Sequence, residues 1–269
     1  MRPVAGATDF SSLQQARGVV FTDLDGTLLD PDTYEPSPAS AGLIRGLRDR
    51  LVPIIPVTSK TSSEVKRLKA TVALAPLAVV EGGSILMIDG ASPRRLGPPR
   101  IRLIDLLKAL QEEGWLVTGL SEMDDRQVAG KTGLSLEAAG RALDREASEP
   151  FVFEPDDVMT GEKLKARVEA LGGSLARGDR LWHLLGRGVN KGAAIQAVRE
   201  EFPKLGEVPS AGIGDAWNDL DMLAVVDRGY MLGNAVSSNA LPEGTVRIAE
   251  TGPAGFIRAI ERFVHEFGL

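Results

Sequence analysis

The stretch "VVFTDLDGTLLD", residues 19–30, decides the reading of this 269-residue chain. Four residues that read as a buried strand run straight into two carboxylates, Asp23 and Asp25, with one leucine between them. Two like charges that close repel each other and lose hydration where they are partly buried, so a fold that keeps them usually supplies a cation or a reaction. Residues two apart on a strand point the same way, so the spacing presents both groups to one pocket if strand geometry persists that far. Gly26 follows, where the backbone must turn sharply or lie against a ligand.

Working outward, "GVVFT" (18–22) is an apolar, β-branched run of the kind a buried parallel strand needs. "SAGLIRGLRDRLV" repeats Leu43, Leu47 and Leu51 at helical spacing, and "VPIIPVTS" (52–59) reads as a second strand closing on hydroxyls. "TSSEVKRLKATV" opens on Thr61 three residues before Glu64, the pattern of a capping box. "LAVVEGG" (77–83) is a third strand entering a glycine turn. This alternation predicts a parallel α/β sheet.

From about Ser84 to Gly186 the rhythm changes: helix at 101–113, strand "WLVTGL", helix in "SLEAAGRALDREA", strand "FVF", helix in "TGEKLKARVEALG", strand "RLWHLL". The strands here lack long apolar runs, which predicts an α+β insertion with one exposed sheet face. Past "GRGVNKG" the parallel rhythm returns. The expected fold is α/β, a Rossmann-like parallel-sheet core with helices on both faces at 1–84 and 187–269, carrying an inserted α+β cap at 85–186.

The bulk numbers restrict the function. With 31 basic and 37 acidic residues the formal charge is −6, which argues against wholesale nucleic-acid binding and leaves room for a local basic pocket. Cysteine is absent, so thiolate catalysis and Cys-bound zinc are excluded. The N-terminal residues show no apolar core of signal-peptide length, and "TVALAPLAVV" is too short for a bilayer and holds Pro76, so a cytoplasmic protein without membrane attachment is expected.

In open α/β sheets ligands bind beyond the carboxyl ends of the strands, and four short motifs fall there. The acidic pair is the first, and the hydroxyls of Thr58 and Ser59 are the second. Lys191 of "NKGAA" is the third, at a helix start that favours an anion. The fourth is "GDAWNDLDM", with Asp215 after a strand and Asn218 and Asp219 in a helix's first turn. An all-oxygen set of Asp23, Asp25, Asp215 and Asp219, with Asn218 beside it, suits Mg2+ better than zinc. The same set suggests phosphoryl chemistry: Asp23 as nucleophile, Asp25 as acid and then base, and Thr58, Ser59 and Lys191 holding phosphoryl oxygens. An EF-hand loop is a poor alternative, since its glycine and glutamate positions carry Leu28 and Tyr34.

Together "DLDGT", Thr58, Lys191 and "GDAWND" resemble, in order, the motifs of the haloacid dehalogenase superfamily. That resemblance implies a phosphotransferase with a parallel α/β core, and the insertion resembles its larger, C2-type cap. "VTSKT", "TGLSLEAAGRALDREASEP" and "RGDRLWHLLG" are similar to the mannosyl-3-phosphoglycerate phosphatases, which make the solute mannosylglycerate. Relatives commonly carry Asn where this chain has "EGG", at Glu81, Gly82 and Gly83. The resemblance implies a phosphorylated sugar or glycosyl-phosphoglycerate as the small-molecule partner.

The residues expected near such a substrate are Lys60, Glu81, Gly82, Gly83, Lys131, Arg145, Arg177, Arg180 and His183. A phosphoglycerate ester carries a carboxylate besides its phosphate, so a positive cap group is required. Trp115, Trp182 and Trp217 read as packing. The mannosyl or glucosyl identity, a phosphomutase of the same fold, a non-catalytic sugar-phosphate binder and the oligomeric state stay open at this level.

Overall fold

Val19, Val20, Phe21 and Thr22 are all buried because the strand they form, β1 (Val19–Thr22), lies inside the sheet rather than at its edge. The computed structural model describes residues 10–31, 33–154, 158–178 and 181–269. Around β1 the first part of the chain adds α1 (Ser11–Gln14), α2 (Pro38–Asp49), β2 (Ile54–Pro56), α3 (Ser62–Lys69), β3 (Leu77–Val80), β4 (Ile85–Ile88) and β5 (Arg94–Arg95). The middle supplies α4 (Arg100–Glu112), β6 (Val117–Gly119), α5 (Asp125–Thr132), α6 (Leu136–Leu143), β7 (Glu149–Phe153), α7 (Val158–Ala170), β8 (Gly173–Arg177) and β9 (Trp182–Gly186). The last part returns with α8 (Lys191–Glu201), β10 (Ser210–Gly214), α9 (Leu220–Leu223), β11 (Arg228–Leu232), β12 (Val246–Ile248) and α10 (Gly252–Phe267).

The core sheet runs β12-β11-β10-β1-β2, all parallel, with Val19 opposite Ser210 and Val20 opposite Ile54. A parallel bridge between Val57 and Val79 joins β3 to this edge, and β4 and β5 continue it antiparallel. Alternation along β1 divides the core. Val20 joins Ile44, Leu47, Phe256 and Phe263 on the face of α2 and α10, while Val19 and Phe21 join Ile195, Val198 and Met222 on the face of α8 and α9. Helices therefore cover both faces.

Local signals explain the helix starts. Ser37 accepts the amide of Ser40 ahead of Pro38, and Thr61 and Glu64 form the reciprocal capping box read from the sequence. A comparable box, Asp124 with Gln127, opens α5, and Gly133 closes it in the left-handed region at φ 74°. The sequence reading passed over α5 although both punctuation marks were present; its eight residues carry only a weak apolar stripe.

The cap is a four-stranded antiparallel sheet, β6-β7-β9-β8, with α4 and α7 packed on one face through Leu103, Leu107, Leu164 and Val168. Two corrections apply. The "GSLAR" strand β8 was not anticipated, and it pairs with β9 along its whole length. Residues 85–95, expected in the cap, form β4 and β5 on the core side, where Ile85 and Met87 enter one core cluster and Leu86 the other. We place the crossings instead near Gly97 to Pro99 and Gly186 to Asn190, which lie against each other: a Cβ on Gly186 would sit 2.2 Å from Pro98 Cδ. The sheet face opposite α4 and α7, expected to be exposed, carries His183, which lines a cavity shared with Asp23 just past the carboxyl end of β1. No helix among the described residues is long and apolar enough to cross a membrane.

Cap and core are joined by an acid at a strained position. Glu81 has φ 52° and is buried, and its carboxylate accepts from the amides of Glu146 and Ala147 at 2.9 and 3.0 Å and from Ser148 Oγ at 2.7 Å. Thr61 Oγ1 adds a bond to the carbonyl of Arg141. Glu81→Ala leaves three donors unpaired and is expected to lower stability by on the order of 3 kcal/mol, with Glu81→Gln falling between it and the parent in urea denaturation.

Candidate functional site

Asp23 lies one residue past β1, and its amide still bonds Ile213 of β10 at 2.8 Å, so strand geometry continues beneath the first carboxylate. Leu24 turns down into the core while Asp23 and Asp25 line one cavity of about 400 Å³ between core and cap. Gly26, at φ 70°, is required here: a Cβ would meet Asp215 Oδ2 at 2.3 Å. Thr27 Oγ1 donates to Asp215 Oδ1 at 3.0 Å. The neighbouring strands β1 and β10 thus bring Asp23 and Asp215 together at their carboxyl ends.

Lys191, at the first position of α8 behind the N-cap Asn190, is 2% exposed. Its Nζ donates to Asp23 Oδ1 at 2.7 Å and to Asp219 Oδ1 at 2.6 Å. Asp219 is wholly occupied, because its Oδ2 accepts the amides of Asp215 and Ala216 at 3.0 Å each. A Cβ on Gly214 would strike its carboxylate at 2.3 Å. Asp219 therefore braces the lysine and the turn as well as joining the acidic group.

Among the described residues, Asp23, Asp215 and Asp219 offer oxygens within 4.8 Å of one another. One ammonium among three carboxylates leaves excess negative charge. Burial pushes Asp23 up to about 7; Lys191 opposes that shift, and Asp219 and Asp25 add to it. Burial, Asp219 and Asp23 push Asp215 up to about 8. Burial alone would lower the Lys191 ammonium, yet Asp219 and Asp23 hold it above the ordinary lysine range. Asn218 Oδ1 is buried beside the group without a hydrogen-bond partner among the described residues. A crowded carboxylate set with an orphaned amide oxygen fits a hard divalent cation.

Asp25 stands outside that group. Its Oδ1 pairs with Lys60 Nζ at 2.9 Å, and Lys60 also reaches Glu64 at 3.5 Å and lies over the Tyr34 ring at 5.3 Å. Burial opposes the charge on Lys60, but Asp25 and Glu64 raise its affinity for the proton. Lys60, expected near the substrate, thus faces the second carboxylate of the opening motif.

The other expected residues separate. Ser59 lines the cavity, whereas Thr58 is fully buried, is absent from the lining, and accepts the Lys60 amide at 3.2 Å. Glu81, Gly82 and Gly83 do not line it either: the glutamate docks the cap, and a Cβ on Gly83 would meet the Asn190 carbonyl at 2.4 Å. Lys131 is exposed on α5, and Arg177 is exposed and lies over the Trp182 ring. Arg180 falls outside the described residues. Arg145 and His183 do line the cavity. Arg145 Nη1 bridges the Ser59 carbonyl and Ser148 Oγ at 3.1 and 3.0 Å, tying a core turn to the cap. Trp115 and Trp182 pack around Phe153 as expected, but Trp217 is 49% exposed.

The sequence reading did not single out the apolar wall of the cavity, formed by Leu120, Val128, Leu134 and Leu181 of the cap. Its residues come from α5, the turn before it, the loop after it and the loop between β8 and β9, so no single periodic run marks them.

A family model for haloacid dehalogenase-like hydrolases matches residues 155–240. A glucosyl-3-phosphoglycerate/mannosyl-3-phosphoglycerate phosphatase of Persephonella marina is 30% identical over 268 residues, covering 92% of this chain and 97% of that protein. Among solved structures, a haloalkanoate-superfamily phosphatase from Bacteroides thetaiotaomicron shares the fold at TM-score 0.67 and 19% identity, covering 98% of this chain and 99% of that one. The sucrose-phosphatase of Synechocystis, solved with sucrose and phosphate, does so at TM-score 0.65 and 15% identity, covering 92% and 98%.

The raised carboxyls make stability depend on pH when no cation is bound. Both folded values, about 7 and about 8, exceed the unfolded value of 3.8, so the folded state holds the extra protons. Their contribution is fully present below about pH 4 and is lost as pH rises through 7 to 8. In chelator, the urea midpoint is expected to fall between pH 5 and 8, and Asp215→Asn to flatten that fall.

Proposed function

The chain belongs to the haloacid dehalogenase-like hydrolase family and is a phosphatase with a C2-type cap; from that premise we propose that it dephosphorylates a glycosyl-3-phosphoglycerate, mannosyl-3-phosphoglycerate first, through a phosphorylated Asp23. The observation that carries the reading is one cavity holding an aspartate against a buried ammonium, a second aspartate against Lys60, and Arg145 from the cap. The phosphate needs the first charge set. The substrate carboxylate needs a further cation, which Arg145 and Lys60 supply from the two sides of the cavity. The phosphoglycerate relative, similar over nearly its full length, supports the same leaving group.

An Asp23 carboxylate oxygen attacks phosphorus, and the bond from phosphorus to the substrate oxygen breaks. Asp25, held by Lys60, donates a proton to the departing alkoxide. It then takes a proton from water, whose oxygen attacks the phosphorus of the aspartyl phosphate and releases inorganic phosphate and Asp23. Lys191, Ser59 and the buried Thr58 turn would steady the non-bridging oxygens. Mg2+ held by Asp23 and Asp215, with Asp219 bracing the turn and Asn218 Oδ1 adjacent, would offset the repulsion between carboxylate and phosphate. The cap's apolar wall excludes water from this exchange until the alcohol has left.

A phosphate-release panel of mannosyl- and glucosyl-3-phosphoglycerate against simple hexose phosphates, with Mg2+ or chelator, tests the reading. The glycosyl esters are expected to lead and chelator to abolish release. Asp23→Asn is expected to abolish release while binding persists, and Asp25→Asn to cost about 100- to 10,000-fold. Full release by Asp23→Asn would end the proposal, and return of the phosphoryl group to sugar without free phosphate would indicate a mutase.

A further inference from the structure

Among the described residues, His183 is the most buried titratable side chain that the cap brings to the cavity, and the steps above do not use it. Alternation along β9 explains its position: Trp182 and Leu184 pack toward α4 and α7, so His183 and Leu185 face the core. Leu185 closes on Gly82, where a Cβ would lie 3.3 Å away, while the imidazole lines the cavity that holds Asp23 and Asp25. The residue is 7% exposed, and its Nδ1 is buried with no hydrogen-bond partner among the described residues. Next to the other nitrogen lies Gly178, which also lines the cavity; a Cβ there would sit 3.0 Å from Nε2. The glycine leaves that side of the ring uncrowded.

The nitrogen left open to a ligand is Nε2, beside the cavity-lining Gly178, and a group that pairs it gains affinity and specificity. Burial, Arg145 and Lys191 hold the imidazole neutral, down to about 3, so the ring offers one donor and one acceptor. An anion uses donors only, and Arg145, Lys60 and Lys191 already provide them. A hydroxyl both gives and accepts a hydrogen bond and matches the ring.

We propose that His183 reads a hydroxyl of the sugar in the leaving group and so sets the preference for glycosylated over sugar-free phosphoglycerate. This deepens the glycosyl-3-phosphoglycerate reading and rests on it. Wild type, His183→Leu and His183→Gln are compared on mannosyl-3-phosphoglycerate, glucosyl-3-phosphoglycerate and 3-phosphoglycerate, which carries the phosphate and carboxylate without a sugar. His183→Leu is expected to lower kcat/KM for a glycosyl ester about ten-fold more than for 3-phosphoglycerate, mainly through KM. His183→Gln, whose amide extends to the position of Nε2, is expected to recover most of that ratio. Equal losses on glycosylated and sugar-free esters, no loss, or a folded Gln variant that recovers nothing would overturn the inference. Failure of the wild type on both glycosyl esters would instead overturn the substrate reading. The His183 ratio would then be measured between glucose 6-phosphate and p-nitrophenyl phosphate, and an unchanged ratio there would also end the inference.

Discussion

Three carboxylates crowded against one buried ammonium form the constraint on which the rest of the molecule is arranged. Asp23, Asp215 and Asp219 come together because β1 and β10 are parallel neighbours whose carboxyl ends coincide. Holding them there requires glycine at 26 and 214, since a side chain at either would displace a carboxylate. It also requires Lys191 to enter at the start of α8, where it bonds two of the three acids at once. Such a centre is unfavourable as a structural device, because breaking even one of its ion pairs leaves a buried charge uncompensated. Its arrangement fits a hard divalent ion, whose charge would compensate the crowded carboxylates.

The cap supplies what the core lacks. Core strand ends provide charge, whereas α5 and α6 with their connecting segments provide an apolar wall and β9 provides an imidazole. The two parts are joined by groups of the same chemistry as the site, but with different duties. Glu81 spends its carboxylate on backbone amides of the cap, and Arg145 spends part of its guanidinium on the core turn that carries Ser59. Arg145 consequently both fastens the cap and presents a cation to the cavity.

The parallel core was legible because its strands are doubly covered, so their apolar runs are continuous and end abruptly at the functional motifs. Capping pairs such as Thr61 with Glu64 were legible for a similar reason, since both partners lie within one turn. The cap was harder to read. Its strands alternate, and β8 reads "GSLAR" with little apolar signal, yet it is held by five paired positions on β9. The residues of β4 and β5 read as cap because a glycine turn looks like a boundary, although the strand after it folds straight back onto β3.

The sequence by itself determined the alternating core, the places where its strands end in acid, hydroxyl or lysine, and the oxygen-only character of the donor set. These are properties of neighbouring residues and of the backbone period. Only the tertiary structure decided that Lys60 faces Asp25, that Glu81 docks the cap rather than lining the cavity, that Asp219 braces Lys191, and that His183 and Arg145, alone among the described cap residues proposed from sequence, reach the cavity. Such pairings join positions dozens to more than a hundred residues apart along the chain. Their partners are chosen by sheet order and by how the cap sits on the core, and no local pattern of side chains carries that information.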